Sequence, residues 1–490
     1  MALHPSCMVR GRAGGFPLLV AALAVGGSAC GARDSLLYDD GQGGAPTGQA
    51  GRGSPPTGRS GAPSGAPSFG GSASASGGAS GSSGASGSTT GSAGAGGATS
   101  CGCDSLHFCS TGTCVLRATT IAARGGTTCV TLVDGSLRCW GSGASGVLGD
   151  GLTRGASAPV APFDIPHGTA IAKAVDFGGD YACATLSNES LWCWGSNADA
   201  RIAQGASQSA LTPVPVEGLL AGQGVKAFAP GVASGCALLG GNGVQCWGSN
   251  ARGQLGDGSN TSSAVPRSVL GLPSQQAFTL AIVGGDRHVC VSFSDGQIGC
   301  WGDNSAGQLG FPEIPSRNVL DYVHDLTNAN EQVTAMAAGS RHTCVLFSNQ
   351  QVACWGDNSL GQLGNGASGG VSSTPVPVVG LEVGAVQPIE LSARGQRTCA
   401  LNSDGSVDCW GAQSAQSTDG TPSDSGTPIR VVGLPEAGKK AVALSVGESH
   451  ACVLLDDGSP RCWGDNSFGQ LTGQTSAELW LTPQRLSVAW

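Results

Sequence analysis

The 490-residue chain holds 83 glycines, 12% charged and 5% aromatic residues, and a formal charge of −9. That much Gly with so few Glu, Lys and Arg excludes a helical bundle, while 40% apolar content excludes disorder throughout. Negative charge without a basic block argues against nucleic acid as a partner. Twenty cysteines are too many for a reducing compartment unless they bind metal or do chemistry.

In chain order, residues 1–30 read as an export signal, with Arg10 and Arg12 ahead of the apolar stretch Phe16 to Val25. The small residues that follow, GGSAC, resemble a bacterial lipoprotein signal, which implies lipidation of Cys30; simple cleavage after Ala29 is the alternative. The apolar stretch is too short to span a bilayer, so membrane association is expected only through a lipid anchor. Residues 31–100 form a linker; in 41–100, Gly, Ser, Ala, Pro and Thr fill 55 of 60 positions. Such a segment buries too little apolar area to offset its ordering entropy. A small Cys-rich motif, 101–116, carries Cys101, Cys103, Cys109 and Cys114 at spacings ill suited to a zinc site. Two disulfides are expected there, with three connectivities open.

From 117 to 490 the chain repeats. Cys-Trp-Gly recurs at Cys139, Cys193, Cys246, Cys300, Cys354, Cys409 and Cys462, and ten residues before each stands another cysteine. These partners are Cys129, Cys183, Cys236, Cys290, Cys344, Cys399 and Cys452. A period near 54 residues signals stacked or radial units. Within TCVTLVDGSLRCW, two strands flank Val133-Asp134-Gly135, a three-residue turn with Gly in the left-handed position. The implied register places Cys129 opposite Cys139 as a close, non-hydrogen-bonded pair. The pairs Cys129–Cys139, Cys183–Cys193, Cys236–Cys246, Cys290–Cys300, Cys344–Cys354, Cys399–Cys409 and Cys452–Cys462 are therefore expected to be disulfide staples, each contributing roughly 2–3 kcal/mol.

In TCVLFSNQQVACW both strand faces are apolar, so the hairpin must be covered on both sides, as neighbouring blades of a ring would do. An apolar run before each pair (FTLAIVGG, VTAMAAG, VALSVG) and a Pro-rich run closing most repeats (TPVPVEGL, TPVPVVGL, TPIRVVGL) supply two further strands. Four strands in seven repeats predict an all-β, seven-bladed propeller. Whether the first and last units share a blade is open.

SRHTCVLFSNQQVACWGDNSLGQLGNG resembles the regulator of chromosome condensation repeat, and the paired cysteines resemble its exported bacterial branch. The loop motif is clear at Gly253–Gly256, Gly307–Gly310 and Gly361–Gly364, and degenerate in repeats two and six (ARIAQG, AQSTDG). The family's eponymous member is an exchange factor for the small GTPase Ran. That activity needs an inserted wedge, for which the near-constant repeat length leaves no room.

Other chemistry is sparse. Every repeat cysteine has a partner, so none is a candidate nucleophile. His288, His342 and His450 occupy equivalent places in three repeats, as do Asp303, Asp357 and Asp465; structural hydrogen bonds and Asx turns are the expected roles. The seven tryptophans after the second cysteines (Trp140, Trp194, Trp247, Trp301, Trp355, Trp410, Trp463) are expected to pack between blades. The copies differ most in 197–210, 311–331 and 411–426, a candidate partner surface. The sequence thus reads as a non-enzymatic, monomeric binding module without catalytic residues, cofactor or metal. It is exported, as a surface lipoprotein or secreted, and recognises a protein or polysaccharide. An extracytoplasmic hydrolase is the alternative; exchange-factor activity stands third.

Overall fold

Alternation of buried residues along short Gly-bounded runs makes each repeat a four-stranded antiparallel sheet, with its strands in chain order from the ring's centre outward. The computed structural model describes residues 103–490 except 111–112, 166–167, 206–207, 221, 274–276, 313, 327–330, 382–383, 385, 417–421, 477–478 and 487–490. The signal, Cys30, the linker and Cys101 lie outside the described residues. Blades 1 to 7 span 118–160, 172–215, 225–268, 279–322, 333–377, 388–430 and 441–485.

The hairpin register is the one the turn chemistry dictates. Cys129 faces Cys139, Val130 faces Arg138 and Thr131 faces Leu137. Gly135 takes a φ of 78°, and its amide donates to the Leu132 carbonyl at 2.8 Å. All seven cysteine pairs are bonded across their hairpins, with Cα atoms 4.0–4.2 Å apart.

The two apolar faces explain why blades must stack. Cys344, Leu346, Val352 and Cys354 pack toward blade 6, against Leu391, Ala400 and Trp410. Val345, Phe347, Ala353 and Trp355 pack toward blade 4, against Ile298, Cys300 and Leu309. A single blade would leave both faces in water.

Each blade is built from one continuous segment, so the first and last units do not share a blade. Blade 7 instead packs directly on blade 1. Ser445 Oγ accepts from the Ala123 amide at 2.9 Å, and Trp140 Nε1 donates to the Gln470 carbonyl at 2.9 Å. The Cys-rich motif contributes to this seam. Its hairpin, His107–Ser110 with Thr113–Leu116, carries a Cys103–Cys114 disulfide, and Cys109 is also disulfide-bonded. The following residue, Arg117, donates from its guanidinium to the Asp456 carbonyl of blade 7. Among the described residues no helix is long and apolar enough to cross a membrane.

Candidate functional site

The ring has two faces. One carries the hairpin turns such as Val133–Gly135; the other carries the loops that follow Trp-Gly, and we term them the turn face and the loop face.

On the loop face each Asn of W-G-x-N organises the loop behind it. Asn250, Asn304, Asn358 and Asn466 accept, at Oδ1, the amide of the buried Leu255, Leu309, Leu363 and Leu471 at 2.9–3.0 Å. The Gln carbonyl beside that Leu accepts the indole N–H of the next blade's Trp: Gln254 from Trp301, Gln308 from Trp355, Gln362 from Trp410. The loop is thus a latch between neighbours, and the tryptophans are buried in the seams.

The histidines belong to the same latch. His288 Nε2 lies 2.9 Å from Thr343 Oγ1 in the next blade, and that hydroxyl donates to the Gln308 carbonyl. His342 repeats this with Thr398, and His450 joins Thr128 across the blade 7–blade 1 seam. Burial holds all three imidazoles neutral, with pKa values pushed down to about 4, 3 and 4. Asp303, Asp357 and Asp465 accept the amide two residues on and shape turns.

The three divergent stretches are less alike than their sequences imply. In 197–210 the latch persists: Asn197 holds the Ile202 amide, Ile202 takes the Leu site, and the Arg201 carbonyl accepts from Trp247. Shape and apolarity suffice at that site, so the degenerate letters conceal a kept geometry. Within 311–331, Ser316–Tyr322 is the outer strand of blade 4. Only 411–426 departs. There the third strand of blade 6 runs on as Val407–Gln416 and pairs again with Pro422–Arg430, so a second hairpin segment, the arm, stands in place of the latch. Repeat length did not reveal it, because the arm is made from the residues that form the latch elsewhere. Arg397, standing where blades 4, 5 and 7 carry the latch histidine, braces its base by donating to the carbonyls of Ala412 and Gln413.

The inner strands enclose a central channel with a cavity of about 250 Å³. Sequence reasoning missed its charged residues. Five positions before the first cysteine of each pair, five blades carry Gly178, Gly231, Gly285, Gly339 and Gly447, while blades 1 and 6 carry Arg124 and Arg394. The glycines make room for the latch: a Cβ on Gly285 or Gly339 would stand 2.1 or 2.0 Å from the imidazole of His288 or His342. Where that histidine is Thr127 or Arg397, the arginine fits.

The two guanidinium groups reach across the loop-face mouth. Arg394 donates to the carbonyls of Gly284 (3.1 Å) and Phe177 (3.0 Å), and Arg124 to Phe177 (2.7 Å). Glu448 pairs with Arg124 at 3.1 Å and Arg394 at 3.8 Å, and Asp286 lies 3.6 Å from Arg124. Deeper along the wall, Asp176 and Glu390 stand where sibling strands carry mostly small residues. Aligning the seven inner strands on their cysteines exposes all four residues. Among the described residues no three His, Cys, Asp or Glu side chains are grouped to hold a metal ion.

With this geometry the comparisons with known proteins agree. Residues 243–292 match the Regulator of chromosome condensation (RCC1) repeat, and 333–362 and 441–470 match a second profile of the same repeat. The chain is 28% identical over 362 residues to the Ultraviolet-B receptor UVR8 of Arabidopsis thaliana, covering 72% of this chain and 79% of that protein. It is 30% identical over 300 residues to human E3 ubiquitin-protein ligase HERC2, covering 60% of this chain but 6% of that protein. In structure it is similar to human WBSCR16 (TM-score 0.63, 19% identity, 72% and 94% covered). It is also similar to Prp20p from Saccharomyces cerevisiae (TM-score 0.62, 18% identity, 76% and 87% covered). These structural likenesses speak for the fold. Three matched repeats, in a ring whose other blades share their register and seams, show a seven-bladed propeller that carries regulator of chromosome condensation repeats.

Proposed function

We propose that the ring is a non-catalytic interaction module working outside the cytoplasm, and that the blade 6 arm is its main contact for a protein or polysaccharide partner. The observation that carries this reading is the arm itself. One blade exchanges its latch for a continued strand pairing and supports it with its own buried arginine, Arg397. Stapled cysteine pairs in every blade fit an oxidising compartment. The named relatives differ in role, a receptor and a ubiquitin ligase, so the propeller itself is the common feature, and function rests on what it displays.

The test is affinity capture with the oxidised full chain immobilised against extracytoplasmic extract and medium from the source organism. A second column carries a variant whose residues 411–421 are replaced by the latch sequence of blade 5. A partner held by the first column and lost from the second supports the reading. Equal recovery on both, or on a reduced and unfolded control, overturns it.

A further inference from the structure

We propose that the central channel is a blind cup for an alkylammonium group, held on its wall by the carboxylates of Asp176 and Glu390. The inference goes beyond the partner reading above and stands or falls separately from it.

Charge counting points to a cation. The two positive charges at the loop-face end, Arg124 and Arg394, are matched there by the two negative charges of Glu448 and Asp286. Asp176 and Glu390 are left over. Asp176 accepts from the Phe177 amide at 2.7 Å and Glu390 from the Leu444 amide; among the described residues neither has a cation within ion-pair distance, and Arg124, already paired with Glu448, reaches Asp176 only as a more distant charge. Carboxylates inside a ring without a counter-ion are costly, and burial accordingly pushes them up to about 6 and about 7. Asp176 is nonetheless exposed to the space of the channel, so a ligand can reach it.

The wall itself binds cationic donors. The innermost strand of every blade turns its unpaired edge to the channel, and such edges present carbonyl acceptors. At the loop-face end, the carbonyls of Phe177 and Gly284 already hold guanidinium groups of this chain. Those arginines span that end, so the proposed ligand enters from the turn face. Counting strand rise, Asp176 lies about 7 Å and Glu390 about 13 Å from the arginine level. An extended alkyl chain passes Glu390 before reaching Asp176. Leu280, Ile389 and Val442, each about half exposed near the turn-face ends of their inner strands, offer apolar surface to such a stem. The sources of this chemistry are a free amine or a lysine side chain of a polypeptide.

The experiment titrates the oxidised full chain with 1,5-diaminopentane and with a lysine-containing peptide, using pentan-1-ol as the uncharged analogue and reading heat or NMR shifts. Saturable binding of the diamine, none of the alcohol, and about ten-fold weakening in both Glu390→Gln and Asp176→Asn are expected. Binding of the peptide as well assigns the cup to a side chain; binding of the diamine alone assigns it to a free amine. No saturable binding of either probe overturns the proposal, as does binding that both substitutions leave intact while the variants melt like the parent. Should one variant fail to fold, the other and the alcohol control decide.

Discussion

Blades 5 and 6 are neighbours with the same staple and the same four strands, yet only blade 5 follows the repeat to its end. In blade 5, Gly339 leaves room for His342, His342 meets Thr398, Asn358 folds the latch, and the Gln362 carbonyl takes the next indole. In blade 6 the glycine is Arg394, the histidine is Arg397 and the asparagine is Gln413, and the latch becomes an arm. Blade 1 separates these changes: it too carries an arginine for the glycine and lacks the histidine, yet it keeps its latch, the Val147 carbonyl accepting the Trp194 indole at 2.8 Å. Losing the glycine and the histidine therefore does not by itself produce the arm; what sets blade 6 apart is that its third strand runs on where the other blades fold the latch.

The largest consequence of the difference is in acid. The three latch histidines sit neutral in the fold, well below the ordinary 6.5, so between about pH 6.5 and pH 4 the unfolded chain takes up protons that the folded chain refuses. Stability falls as pH falls through that window, by up to about 1.4 kcal/mol per pH unit for each histidine. Asp176 and Glu390 act in the opposite sense, because their raised values let the folded state bind protons first, and they offset part of the loss between about pH 7 and pH 4. Denaturant midpoints measured from pH 7 to pH 4 should drop, and His342→Gln should flatten the slope. An unchanged slope would remove the latch from the account.

Next in size is Trp355→Ala. It empties a fully buried site between blades 4 and 5 and leaves the Gln308 carbonyl without its indole donor. A cost of about 3–5 kcal/mol is expected from denaturant unfolding. The seven tryptophans were legible in the sequence because burial on both faces follows from the alternation of apolar residues and the period alone. The channel charges were not legible by that route. Arg124 and Arg394 interrupt no hydrophobic pattern, since each is the last residue of its inner strand, and they donate to backbone carbonyls, which no side-chain motif announces. The arm was hidden for another reason: strand continuation replaced loop formation without changing the residue count.

Arg394→Gly restores the letter that five sibling blades carry, and it should still destabilise the ring, by about 1–3 kcal/mol, because the carbonyls of Phe177 and Gly284 lose a charged donor. The matching change Arg124→Gly should be less than additive with it, since both arginines share Phe177 and Glu448. A double-mutant cycle on unfolding free energies measures the coupling. Strict additivity would mean that the two buried side chains act independently rather than as one brace.

The finest contrast is between the two residues that follow W-G-x. Asn358 is buried, holds the Leu363 amide at 3.0 Å through Oδ1 and donates from Nδ2 to the Ala367 carbonyl at 3.2 Å, so Asn358→Ala leaves backbone groups unpaired and should cost about 1–3 kcal/mol. Gln413 stands at the matching place, but there the backbone is already committed: its amide donates to Asp424 and its carbonyl accepts from Arg397. Both bonds are made by main-chain atoms that an alanine also possesses. Gln413→Ala should therefore change stability by under about 0.5 kcal/mol, the ordinary range for a surface position. A loss as large as that of Asn358→Ala would mean that the glutamine side chain still organises a loop, and that blade 6 has modified its latch rather than given it up.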